Sequence, residues 1–98
     1  MGKVIFTITY SINPDKRGDY LDLTKEMKTH LAQRNKASYS IYEQKGKKNT
    51  FSEVFIFGSM AEYDQLEDQD EQTTAYMTRL ESLLTNGKMK YSTLVEIE

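Results

Sequence analysis

An α+β fold of βαββαβ order is what the sequence predicts, on three observations. Four stretches alternate apolar and polar residues with the period of two that a half-buried strand requires. Two stretches between them carry apolar residues at the three- and four-residue spacing of an amphipathic helix. The junctions hold Asn, Asp, Ser, Gly and Pro where helices are capped and hairpins turn.

Lys3 to Ile12 is the first strand. Val4, Phe6, Ile8, Tyr10 and Ile12 fall on one face, and Ile5, Thr7, Thr9 and Ser11 on the other. Asn13-Pro14-Asp15 is a turn whose Asn or Asp can cap the next helix. Tyr20, Leu23, Met27 and Leu31 then recur at helical spacing, giving a first helix that ends near Asn35. Ala37 to Lys45 alternates again, with Tyr39 and Ile41 opposite Ser40 and Tyr42, before the polar turn Gly46-Lys47-Lys48-Asn49. Phe51 to Phe57 closes a hairpin, with Phe51, Phe55 and Phe57 on one face and Val54 and Ile56 on the other.

Ser59-Met60-Ala61-Glu62 matches the capping box, in which Ser and Glu side chains satisfy free N–H groups at a helix start. A second helix from here to Thr85, where Asn86-Gly87 stops it, would extend ~40 Å against strands of ~25 Å. It is therefore expected to break around Asp68 to Gln72, where the stripe of Tyr63 and Leu66 lapses before Tyr76, Met77, Leu80, Leu83 and Leu84 resume it. Met89 to Ile97 is the fourth strand. Together these elements predict a ferredoxin-like, four-stranded antiparallel sheet with helices on one face.

Residues 1–98 read as one domain, since no Pro-, Gly- or Ser-rich stretch divides them. The absence of cysteine removes disulfides, thiolate nucleophiles and Cys-based metal sites, and fits a reducing compartment, so a cytoplasmic protein is expected. The first residues run straight into strand-like sequence with no signal-peptide pattern, and no apolar run approaches the ~20 residues that cross a bilayer. Residues 1–50 hold ten cations against five acids, and residues 51–98 three against ten. The mildly acidic total argues against a nucleic-acid partner. The same element order occurs in RNA-recognition domains, but Thr50 to Phe57 lacks their basic-Gly-aromatic opening and places Glu53 where phosphate would lie.

Two helices cover one face of a four-stranded sheet, and the face of Phe6, Ile8 and Tyr10 is the apolar candidate. The opposite face carries Ile5 and Thr7, and the third strand is apolar on both sides. Burying that face against a second copy predicts a two-fold homodimer.

The βαββαβ order, the Phe57-Gly58-Ser59-x-x-Glu62-Tyr63 entry into an interrupted second helix, and the terminal Lys90-Tyr91-Ser92-Thr93-Leu94-Val95 strand resemble the antibiotic biosynthesis monooxygenase-like family over nearly the whole chain. The resemblance implies a dimeric α+β barrel with a pocket between sheet and helices in each subunit. It includes cofactor-free monooxygenases and haem-degrading enzymes. The haem-degrading branch relies on an Asn in strand one, a Trp in helix two and a His further along; here strand one offers Thr7, Ile8 and Thr9, the Trp position falls near Leu66 and the His position near Tyr76. Histidines common near the helix-two break in other members fall near Glu67 and Gln72. Haem degradation is not implied, and no base is identifiable for a monooxygenase.

His30, the only histidine, is the one side chain whose ordinary pKa suits a neutral-pH general base, but it lies beside Leu31 at the edge of the helix-one stripe, where a rim position is expected. Tyr76 is the other candidate for catalysis. Tyr10, Tyr63 and Tyr76 occupy expected inward positions and could line a pocket for a planar aromatic molecule, although rings there also serve as plain packing. Glu62, Asp64, Glu67, Asp68, Asp70 and Glu71 place six acids in ten residues without the glycine a calcium loop needs, so they read as a solvated helix face and no metal is expected. Lys45, Lys47 and Lys48 read as a solvated turn. The functional expectation is a cofactor-independent monooxygenase-like protein acting on a small aromatic or quinol-type molecule. The alternative is a non-catalytic binding or interaction module of the same fold.

Overall fold

A computed structural model describes residues 2–34, 38–64 and 71–97, with 31–34 and 71–73 described by backbone alone. Strands β1 (Val4–Ser11), β2 (Ser38–Glu43), β3 (Thr50–Phe57) and β4 (Lys90–Val95) pair antiparallel in the order β2-β3-β1-β4. Helices α1 (Arg17–Arg34), α2 (Met60–Asp64) and α3 (Glu71–Glu81) supply the cover. This is the expected ferredoxin-like α+β arrangement.

The period-two pattern sets the two faces. Val4, Ile8 and Tyr10 of β1 are buried with Phe51, Phe55 and Phe57 of β3, and the register places Val4 opposite Phe57 and Tyr10 opposite Phe51. Tyr20, Leu23 and Met27 of α1 and Tyr76 and Leu80 of α3 close over them. The opposite face aligns Ile5 with Ile56 on one side and Leu94 on the other. Further along it, hydroxyl pairs cross the strands, Thr9 with Ser52 at 2.9 Å and Ser11 with Thr50 at 2.8 Å. Ile56 and Leu94 are exposed, and every residue of β4 is exposed although the strand pairs along β1.

Local chemistry explains the ends of the elements. The Asn13 side chain accepts the Asp15 N–H and opens a 3-10 turn, Pro14–Lys16, that runs into α1. Gly46 (φ 85°) and Asn49 (φ 66°) take the left-handed backbone that the β2–β3 turn requires, a conformation tolerated by these two residue types. Arg17 holds that turn to the start of α1. Its guanidinium donates to both Glu43 oxygens at 2.7 and 2.9 Å and to Asn49 Oδ1 at 2.8 Å, and lies 5.5 Å from the Phe51 ring centre.

At α2, Ser59 Oγ accepts the Glu62 N–H as the capping box predicts, while Glu62 accepts the N–H of Gly58, one residue earlier than the box would place it. The break expected around Asp68 to Gln72 falls mostly on 65–70, outside the described residues; Glu71 and Gln72 already belong to α3. Leu66, Glu67, Asp68 and Asp70 also lie outside. α3 does not reach Thr85 as its apolar stripe suggested. It ends at Glu81 because the following backbone turns to strand pairing, with Asn13 N–H donating to Leu83 O at 2.8 Å, Thr85 N–H donating to Ser11 O at 3.0 Å, and Ile12 bridged to Leu84.

Candidate functional site

Alternation along β3 turns Glu53 inward with Phe51, Phe55 and Phe57, and its side chain is 2% exposed. Its lateral neighbours on that face are Ile8 of β1 and Ile41 of β2, neither of which can hydrogen-bond a carboxyl group. The nearest donors are tyrosines from other positions. Tyr39, one pair along β2, donates its hydroxyl to Glu53 Oε1 at 2.6 Å. Tyr10 of β1 acts on the same carboxyl, and its hydroxyl is joined to that of Tyr20 on α1 at 2.7 Å. Glu53 Oε2 is buried and has no hydrogen-bond partner among the described residues. Three strands and one helix thus converge on one acid.

Burial pushes the Glu53 carboxyl above the ordinary range, and the hydroxyls of Tyr39 and Tyr10 hold it back in part by favouring the anion. Among the described residues, no cation is one of the groups acting on it. The Tyr10, Tyr39 and Tyr20 phenols are each pushed upward, first by burial and then, for Tyr10 and Tyr39, by the neighbouring Glu53 charge. These phenols therefore remain O–H donors across the physiological range. The carboxyl is the member of the group that can change protonation state, which is the property an acid–base residue needs.

The surroundings of the group are aromatic. Tyr20 lies against Phe51 with ring centres 4.4 Å apart, and Tyr39 against Phe55 at 4.6 Å. Ring contacts continue from Phe55 to Phe6 at 5.9 Å and from Phe6 to the exposed Tyr91 at 6.1 Å.

The residues singled out from sequence occupy three places. Tyr10 belongs to the Glu53 group. Tyr63, on α2, packs edge-on against Phe57 and Phe6, and its hydroxyl meets Thr93 Oγ1 at 3.1 Å, on the β4 side. His30 and Tyr76 come together, ring centres 5.6 Å apart, in an open groove of about 500 Å³ between α1 and α3 that Lys25, Glu26 and Thr29 complete. Sequence reasoning did not single out Glu53, Tyr39 or Tyr20 as site residues. The usable signal was the phase of β3, where an acid replaces an apolar residue on the inward face.

No protein-family model and no curated relative matches the chain. Solved structures do. A Caulobacter crescentus protein provisionally assigned as an antibiotic biosynthesis monooxygenase superposes with a TM-score of 0.84 at 12% identity, over 99% of this chain and 92% of that one. Rv0793 from Mycobacterium tuberculosis does so with 0.79 at 18%, over 98% and 96%. A variant of SnoaB, a cofactor-independent oxygenase from Streptomyces nogalater, gives 0.77 at 9%, over 98% and 94%. At such identities the shared property is the backbone arrangement, and this chain has the α+β fold of structures named antibiotic biosynthesis monooxygenases.

Proposed function

We propose that the chain is a cofactor-independent, monooxygenase-like protein acting on a small aromatic or quinol-type molecule. The observation that carries this reading is the Glu53 group, an ionisable acid among protonated phenols and flat rings in the helix-to-sheet space. A quinol brings its own reducing electrons. Loss of its O–H proton to an acceptor makes the ring electron-rich enough to reduce dioxygen, and water exclusion protects the reactive intermediate. The fold shared with a cofactor-independent oxygenase supports the same reading. His30 and Tyr76 lie in a different groove and take a secondary place.

The working unit is a homodimer of single-domain subunits, supported by the row of Ile5, Ile56 and Leu94 on the uncovered sheet face. It acts in the cytoplasm, in keeping with a chain that has no cysteine. No helix among the described residues is long and apolar enough to cross a membrane.

A non-catalytic binding module is the second reading, favoured by the separation of the single histidine from the buried acid. Oxygen uptake with a panel of hydroxylated aromatics and quinols distinguishes the two. Uptake that scales with protein supports the oxygenase, saturable binding without uptake supports the module, and the absence of both removes each.

A further inference from the structure

We propose that Asn86-Gly87, in the connection from α3 to β4, is a modification site at which the chain deamidates itself, closing a cyclic imide that water opens to aspartate and isoaspartate. The site is separate from the Glu53 group and is independent of any ligand bound there.

The reaction needs an asparagine carboxamide, an untied backbone nitrogen on the next residue, room for the ring they form, and water. Asn86 and Gly87 are both exposed. The backbone pairing ends at Thr85, whose N–H donates to Ser11 O, and the Gly87 N–H donates no hydrogen bond among the described residues. A side chain at Gly87 would meet nothing within 4 Å, and the φ of +68° there is a setting that glycine takes without strain. The Lys88 N–H donates to Asn86 Oδ1 at 3.0 Å. A donor on that oxygen draws electron density from the carboxamide carbon and stabilises the negative charge that collects on the oxygen as nitrogen attacks. Other asparagines lack these features. Asn13 precedes Pro14, which has no N–H to lose. Asn49 is buried, gives its Oδ1 to Arg17 at 2.8 Å, and precedes Thr50, whose N–H is held by Lys47 O at 3.2 Å. Asn35 lies outside the described residues.

The step takes in water and releases ammonia, with no oxidant or reductant. The Gly87 nitrogen gives up its proton and bonds to Asn86 Cγ, the Cγ–Nδ2 bond breaks, and Nδ2 leaves as ammonia with that proton. Water then adds to the imide. Addition at Cγ gives aspartate, and addition at the main-chain carbonyl carbon gives isoaspartate, in which Cβ and Cγ belong to the backbone. Either product is ionised at neutral pH and makes the formal net charge of −2 one unit more negative. The isoaspartyl form lengthens a connection whose ends are anchored, Thr85 to Ser11 and Lys90 opposite Thr9. The added length bulges into solvent and the sheet is retained.

The test is mass spectrometry of the tryptic segment 80–88 after storage of the folded whole chain at mildly alkaline pH, beside a synthetic peptide of the same sequence. The segment from the folded chain should gain about one mass unit and split into two new chromatographic species, at a rate within about tenfold of the free peptide, the factor that one hydrogen bond is worth. The segments that hold Asn13 and Asn49 should stay unchanged. Gly87→Ala crowds the attacking nitrogen and resists the left-handed backbone, so it should slow the gain by about tenfold or more. Asn86→Gln would have to close a six-membered ring and should abolish it, with an unchanged far-ultraviolet circular dichroism spectrum showing that the fold is kept. An intact Asn86 in the folded chain when the free peptide has converted, earlier conversion at Asn13 or Asn49, an unchanged rate in Gly87→Ala, or a mass gain that persists in Asn86→Gln overturns the proposal.

Discussion

Tyr39 donates a 2.6 Å hydrogen bond to Glu53 across the β2–β3 pair, on the face of the sheet that the helices cover. The contact places an ionisable acid inside an aromatic core and satisfies one of its two oxygens. Its consequences are measurable as stability, as assembly and as titration.

Burial raises the folded-state affinity of Glu53 for its proton. The sign is that of an acid held better in its neutral form. Its contribution is fully present below the unfolded pKa of about 4.3 and is lost as pH rises through the higher folded value. Glu53→Gln, which keeps an acceptor for Tyr39, is expected to be more stable than the parent near pH ~8, and to gain nothing near pH ~4. Urea unfolding at the two pH values checks this.

Glu43 has the opposite sign. Hydrogen bonding from Arg17, and then from the Asn49 backbone, holds its carboxyl down at about 2. That contribution is present above the unfolded pKa and disappears as pH falls from about 4.3 through the folded value. Thermal melting across this window should show the parent losing stability relative to Glu43→Gln. Parallel curves would mean that the Arg17–Glu43 clamp contributes nothing to folding.

Packing predicts the larger losses. Leu80 of α3 is fully buried, so Leu80→Ala should cost about 2–5 kcal/mol through the cavity it leaves. Tyr20→Phe keeps the ring against Phe51 and removes only the hydroxyl bonded to Tyr10, for a cost of about 1 kcal/mol. Denaturant titration of both variants, compared at equal slope, tests the ranking.

Much of the fold was legible because one physical rule, the period of the apolar residues, acts locally. Val4, Ile8 and Tyr10 face inward as their alternation requires, and Tyr20, Leu23 and Met27 do so at helical spacing. The end of α3 was not legible, since Leu83 and Leu84 continue the helical stripe while the backbone around them is taken by Ser11 and Asn13. The site was harder still. Periodicity put Glu53 on the inner face, but Tyr39 and Tyr10 reach it only through strand register, and Tyr20 through helix placement. Tyr10, Tyr63 and Tyr76 share an inward phase and nevertheless lie in three different parts of the fold, because phase specifies a face and not a position on it.

The uncovered face makes a prediction about assembly. Ile56 sits in the row with Ile5 and, like Leu94, is exposed in the isolated subunit. Ile56→Lys should leave the far-ultraviolet circular dichroism unchanged and convert a dimer to a monomer in light scattering, since a buried, unpaired charge on a two-fold contact is repeated in both copies. A parent chain that is monomeric at micromolar concentration contradicts the dimer.

The most direct measurement is a carbon NMR titration of the Glu53 side-chain carboxyl, assigned by its loss in Glu53→Gln. A carboxyl held dry between the sheet and α1 should titrate above the about 4.3 of free glutamate. A midpoint at or below that value would mean that the acid is solvated and that the site described around it does not exist.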